Sequence, residues 1–102
     1  MNPDELIYSE LEYSPESETD EIVEDAVLSP WRVILYDDDI HTFDEVINQI
    51  MKATGCARPL AEDLTMKVHN EGKAIVFEGE FEECLMVDSV LKEIQLVTEI
   101  KG

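Results

Sequence analysis

Trp31-Arg32-Val33-Ile34-Leu35-Tyr36-Asp37-Asp38-Asp39 is the stretch on which the reading of the fold turns. Apart from Arg32 its first six residues are aromatic, β-branched or aliphatic, the composition of a well-buried strand, and three carboxylates then end it. Just beyond, Thr42 and Glu45 have capping-box spacing. The hydroxyl is placed to accept from the Glu45 backbone N–H while the Glu45 carboxylate accepts from the N–H of Thr42, so a helix is predicted to start there. Phe43, Val46, Ile47, Ile50, Met51 and Thr54 follow at helical spacing, forming one apolar stripe that ends at Gly55.

Working outward, Pro59 suits the first turn of a second helix whose buried face is predicted to be Leu60, Ala61, Leu64 and Val68, with Gly72 as its C-terminal cap. On that helix Thr65 and His69 lie one turn apart and share a face. Ala74-Ile75-Val76-Phe77 reads as a short strand. A third helix is predicted from Gly79, with Phe81, Cys84, Val87, Leu91 and Ile94 inward, and Leu96 to Ile100 closes the chain as a strand. The order βααβαβ gives an α+β single domain over residues 30–102: a three-stranded antiparallel sheet covered on one face by three helices, its other face partly exposed. No internal repeat is visible.

Before this domain, residues 1–29 mix acids with Ser and Pro and lack sustained apolar periodicity, so they read as a disordered acidic N-terminal arm. Residues 1–30 hold 10 acids and no Lys or Arg, and the remainder holds 15 acids against 7 bases, giving net charges of -10 and -8. A field of that sign repels phosphate backbones and anionic lipid, which argues against nucleic acid and membrane partners and favours cationic ones. No apolar run is long enough to span a bilayer and no signal-peptide pattern opens the chain, so a cytoplasmic location is expected. Cys56 and Cys84 have neither the number nor the spacing of a zinc site or a disulfide framework and read as free thiols. No nucleophile–base pattern accompanies the two histidines, so no enzyme activity and no cofactor are expected.

The three consecutive aspartates allow three readings. As a solvated turn they need no ligand, since Asp is common in turns. As a metal site they are similar to the first strand and acidic pair of a receiver domain, but no phosphoacceptor Asp or distal Lys follows and the chain is too short for five βα units. As a site for an ammonium group they supply acceptors and charge, with His69 as a further acceptor. Adjacent like charges repel, so removing Asp38 is expected to raise stability slightly.

Beyond these local patterns, Arg32 to Asp39, Thr42-Phe43-Asp44-Glu45-Val46-Ile47 and Val68-His69-Asn70-Glu71-Gly72-Lys73-Ala74 together resemble the ClpS family of protease adaptors, the last stretch matching its VH-x-x-GKA signature. The resemblance implies an adaptor that takes proteins with a bulky apolar N-terminal residue (Leu, Phe, Tyr or Trp, the N-degron) and delivers them to the N-terminal domain of a Clp family AAA+ ATPase for proteolysis. It puts the family's amine-holding Asn, Asp and His on Asp37, Asp38 and His69, with Asp39 beside them. It puts the apolar pocket walls on Ile40, His41, Phe43, Val46, Thr65 and Val68. Asp37 replaces the usual Asn, and Phe43 and Thr65 stand where the family commonly has Met. The acidic residue that docks on the ATPase falls on Glu82, while its basic counterpart falls on Val87. Two other readings stand beside this one: an interaction module like the C-terminal domain of the ribosomal stalk protein, and the receiver-like metal-binding domain.

Overall fold

A computed structural model of the chain describes residues 30–102, so the acidic arm predicted for residues 1–29 lies outside the described residues. Strand β1 (Trp31–Tyr36) is followed by helices α1 (Phe43–Thr54) and α2 (Arg58–Glu71), strand β2 (Lys73–Gly79), helix α3 (Phe81–Leu91) and strand β3 (Thr98–Lys101). The sheet order is β2-β1-β3, with both pairings antiparallel. The fold is therefore the α+β arrangement expected, with β1 central.

β1 alternates as a half-buried strand rather than being buried throughout: Val33 and Leu35 are fully buried and their neighbours are not. The period of two sends alternate side chains to opposite faces, and helices cover only one of them. On the inner face Val33 and Leu35 meet Ile47 and Ile50 of α1, Ala61 and Val68 of α2, Ala74 and Val76 of β2, and Cys84, Val87 and Leu91 of α3. On the open face, the Tyr36 hydroxyl donates to Glu99 Oε1 at 2.6 Å.

The capping box forms as read: Glu45 N donates to Thr42 Oγ1 at 3.1 Å, and Thr42 N donates to Glu45 Oε1 at 2.8 Å. α1 ends at Gly55, whose φ of 75° is left-handed and strained for any side chain. α2 buries Ala61, Thr65 and Val68, with Leu64 half-buried, while Leu60 is 52% exposed instead of buried. At about 100° per residue, Leu60 lies about a quarter turn or more from the centre of the arc that Ala61, Thr65 and Val68 define.

α3 begins two residues later than expected, at Phe81, after Glu80 donates its N–H to Glu83 Oε1 at 3.0 Å. Phe81 is not an inner residue: it is largely exposed and meets the Trp31 ring edge-on at 4.7 Å. Ile94 belongs to a 3-10 turn, Lys92–Ile94, that follows α3. The last strand starts at Thr98, and Leu96 is a buried residue of the approach to it. α1 and α3 are also tied through Gln49, whose amide donates to the Val90 carbonyl at 2.6 Å. The buried Asp88 carboxylate accepts from the Thr98 hydroxyl and pairs with Lys92 Nζ at 2.9 Å.

Candidate functional site

The end of β1 is held where it meets the end of α2. Tyr36 N donates to the Val97 carbonyl at 3.0 Å and Asp37 N to the Gly72 carbonyl at 2.9 Å. Gly72, with φ of 88°, is the left-handed cap that stops α2 and turns the chain into β2. These two backbone bonds bring the aspartates beside the last turn of α2. A cavity of about 250 Å³ opens there. Asp37, Asp38, Asp39 and His41 form one rim, Phe43 and Val46 of α1 a second, and Thr65, Val68 and His69 of α2 a third; Leu35, Tyr36 and Leu96 complete the lining.

Each wall follows from its local structure. Val46 is half-buried, and Phe43 stands 43% exposed at the mouth with its ring edge-on to the His69 imidazole, centroids 5.0 Å apart. Phe43 opens the predicted apolar stripe but packs at the cavity rather than in the core. Thr65 is buried, and its hydroxyl donates to the Ala61 carbonyl at 2.8 Å, so the polar atom is satisfied within its own helix and the methyl remains for the cavity. Val68 is shared between the core and the cavity.

His69 and Asp37 are the open polar pair. His69 Nδ1 lies 3.9 Å from Asp37 Oδ1, too far for a hydrogen bond, and the two side chains are 53% and 35% exposed. His69 also sits in the last turn of α2, where the helix dipole is negative.

Asp38 and His41 are engaged instead. Asp38 Oδ1 accepts from the backbone N–H groups of Ile40 at 2.9 Å and His41 at 3.0 Å, and its Oδ2 faces His41 Nδ1 at 2.8 Å. On the other side of the ring, His41 Nε2 reaches the Ile94 carbonyl at 2.6 Å. Burial raises the Asp38 pKa, but the backbone and side-chain hydrogen bonds from His41 and the N–H of Ile40 outweigh it and hold the carboxyl below its ordinary range. The hydrogen bond that the ring gives to Asp38 pushes His41 above its ordinary range against the pull of burial, helped by the Ile94 carbonyl. These three bonds speak against the expectation that losing Asp38 raises stability, since the carboxylate holds two backbone N–H groups of the loop and the His41 ring.

Of the residues named from the sequence, Asp37, Asp38, Asp39, His41, Phe43, Val46, Thr65, Val68 and His69 come together around one cavity. Ile40 does not: it is 84% exposed and points away from the lining, because the turn that Asp38 caps directs residue 40 outward. Leu35, Tyr36 and Leu96 are lining residues that the sequence reading left as strand positions. Their signal was the sheet itself, since a cavity beyond the end of β1 must be floored by the last residues of that strand and by what pairs with it. Glu82 lies on the exposed side of α3, away from the cavity, and Val87, where a basic residue was sought, is buried. Among the described residues no group of three His, Cys, Asp or Glu side chains is arranged to hold a metal ion, and no helix is long and apolar enough to cross a membrane.

Known proteins resemble this chain in sequence or in fold. ATP-dependent Clp protease adapter protein ClpS of Mycolicibacterium paratuberculosis is 40% identical over 65 residues, 64% of this chain and 61% of that protein. E3 ubiquitin-protein ligase UBR1 of Drosophila melanogaster is 39% identical over 51 residues, half of this chain but only 3% of that ligase. The chain thus spans about three fifths of the length of the bacterial relative. Among solved structures, Agrobacterium tumefaciens ClpS2 bound to L-phenylalaninamide superposes with a TM-score of 0.63 at 16% identity, covering 72% of this chain and 98% of that one, a likeness of fold. The family model described as ATP-dependent Clp protease adaptor protein ClpS matches residues 28–95, and the chain belongs to that family.

Proposed function

We propose that this protein is an adaptor that binds the free N-terminus of a protein beginning with Leu, Phe, Tyr or Trp and delivers it to a Clp AAA+ protease in the cytoplasm, with no catalytic step of its own. The observation that carries the reading is the cavity beyond β1, lined by the apolar Phe43, Val46, Val68 and Leu96 together with three carboxylates and two imidazoles. A substrate N-terminus combines the matching groups, an apolar side chain beside an ammonium group with three donors. Burying a Leu or Phe side chain contributes about 1.5 to 3 kcal/mol. Hydrogen bonds to a charged group add about 1.5 to 3 kcal/mol each, before the cost of association. Two relatives support the reading by their names, a Clp protease adapter and a ClpS2 bound to L-phenylalaninamide.

For delivery we assign two further regions. Glu82 on α3 is the docking residue for the N-terminal domain of the ATPase, and its exposed neighbours Phe81, Leu85 and Met86 give that face apolar area to bury. To residues 1–29 we assign handover rather than binding. A degradation assay tests the whole: a reporter beginning with Phe is incubated with a Clp ATPase, its peptidase and this protein. Faster loss of the Phe reporter than of a Val or acetyl-Leu reporter is expected, and equal loss of all three overturns the reading.

A further inference from the structure

The face of the sheet turned away from the helices is composed by the register of its strands, since residues directly opposite one another share a face. Ile75 stands against Ile34, and Ile34 against Glu99. Glu78 stands against Arg32, and Arg32 against Lys101. Lys73 stands against Tyr36, its ammonium group 5.9 Å from the ring centre. Ile75 is 42% exposed and Ile34 half-buried, so the middle of the face is apolar, and no described element covers it.

In charge this face departs from the rest of the domain. It holds three of the 7 bases of residues 31–102, Arg32, Lys73 and Lys101, but only two of the 15 acids, Glu78 and Glu99. Glu99 already accepts from the Tyr36 hydroxyl. Lys52, Arg58 and Lys92 are paired with carboxylates, whereas among the described residues none of the three sheet-face bases is. Arg32 donates from one terminal guanidinium nitrogen to the Gly102 oxygen at 3.1 Å, while its buried Nε meets no acceptor among the described residues.

We propose that the acidic segment Glu21-Ile22-Val23-Glu24-Asp25-Ala26-Val27-Leu28 docks across this open face, its apolar residues on Ile34 and Ile75 and its carboxylates toward Arg32, Lys73 and Lys101. The segment complements the face: two apolar clusters, three acids and no base. It joins the domain through Ser29 and Pro30, and proline suits a turn there. β1, which it enters, is hydrogen-bonded on both edges, so the segment cannot pair beside that strand, and the inner face is filled by the core. The open face is the surface left within immediate reach. Eight extended residues span about 26 to 29 Å, more than the about 20 Å of a six-residue strand. Because the tether makes the contact intramolecular, individually weak contacts suffice. The contact does not depend on the amine-binding reading, but it bears on handover: a partner that takes the arm must first lift it from the sheet.

Methyl-resolved NMR of the full chain tests the proposal. At low salt, cross-relaxation is expected between the Ile34 or Ile75 methyls and those of Ile22, Val23, Val27 or Leu28, unchanged on dilution. It should be lost at about 0.5 M salt, where the screening length is about 4 Å. Lys73→Glu with Lys101→Glu should abolish it while the core methyls of Leu35 and Ile50 keep their shifts. A second variant lies outside the domain and leaves its folding untouched: Val27→Ser with Leu28→Ser should move the Ile34 and Ile75 resonances but not those of Val46 and Val68 at the cavity. Ile34 and Ile75 resonances that stay in place in the second variant overturn the proposal, as do contacts that survive charge reversal. Contacts that disappear on dilution also overturn it, and give the face to a second copy of the chain.

Discussion

The two sides of the cavity handle their polar groups in opposite ways. On the loop after β1, the Asp38 carboxylate has three protein partners, the His41 ring two, and both are largely enclosed. At the cavity's other polar contact, where His69 at the end of α2 faces Asp37 at the end of β1, the two side chains are half open to solvent and stop short of bonding each other. The difference separates two jobs that residue type alone does not: a group whose hydrogen-bonding capacity is filled by its own protein builds the site, and a group left with capacity is available to a ligand. Both sides have a histidine and an aspartate, and only the geometry tells them apart.

The largest expected effect breaks the building side. Asp38→Ala leaves two backbone N–H groups and a largely buried imidazole without their acceptor, and stability should fall by about 2 to 3 kcal/mol. For a domain of this size that is a drop of roughly 10 °C or more in melting temperature, read by circular dichroism. An unchanged or higher melting temperature would return Asp38 to the solvated-turn reading.

The mirror experiment is His69→Ala. Because Gly72 caps α2 and the His69 ring makes no hydrogen bond among the described residues, the fold should keep its melting temperature, while binding of a Phe-initiated peptide weakens about tenfold, the size of one hydrogen bond to a charged group. Fluorescence anisotropy measures this. A variant that loses stability but not affinity would exchange the roles of the two histidines.

A smaller effect sharpens the comparison through pH. The Asp38 hydrogen bond raises the His41 pKa above its ordinary 6.5, so this contribution is whole below 6.5 and is lost as pH rises through the higher folded value. For Asp38, burial opposes but the His41 and Ile40 bonds prevail, and a carboxyl held below its ordinary 3.8 contributes above that value and loses its contribution as pH falls through the lower folded value. Denaturant unfolding from pH 3 to 9 should show the pair's support strongest between these limits, and His41→Gln should flatten the fall on the alkaline side. The smallest change is expected for Thr65→Val, within about 1 kcal/mol of the parent in stability, because the lost hydroxyl bond is a local one to Ala61 and the methyl that faces the cavity is kept.

Much of this molecule is legible from its residues, and what is not has physical causes. Thr42, Glu45, Gly55 and Gly72 announce the helix ends because caps are local chemistry, set by residues within one turn. The alternation within β1 is less legible: the run Val33-Ile34-Leu35-Tyr36 does not say which face the helices cover, and Ile34 and Val33 differ only by the pleat. Leu60 was placed on the buried face by its type, whereas the angle of its position decided otherwise. In the site, the cluster at Asp37 and His69 was visible as a motif. The Asp38–His41 bond lies within three residues, but the bond from His41 to the Ile94 carbonyl spans 53 positions and depends on where the turn after α3 lands. Ile40 was placed on the wall by the family resemblance, and the Asp38 turn that points it to solvent is a hydrogen-bonding fact. Leu96 was assigned to a strand, and it lines the cavity because the strand begins later.

The central claim is that the cavity between the aspartate loop and α2 receives a free N-terminus, and amide-resolved NMR titration tests it most directly. A short peptide beginning with Phe is added to the labelled protein, and its acetylated counterpart to a second sample. The account predicts that the free-amine peptide shifts the resonances of Asp37, Asp39, Thr65, Val68 and His69 in one saturable process, and that the acetylated peptide shifts none of them at the same concentrations. Shifts confined to the Glu82 face of α3, or identical shifts with both peptides, would contradict it.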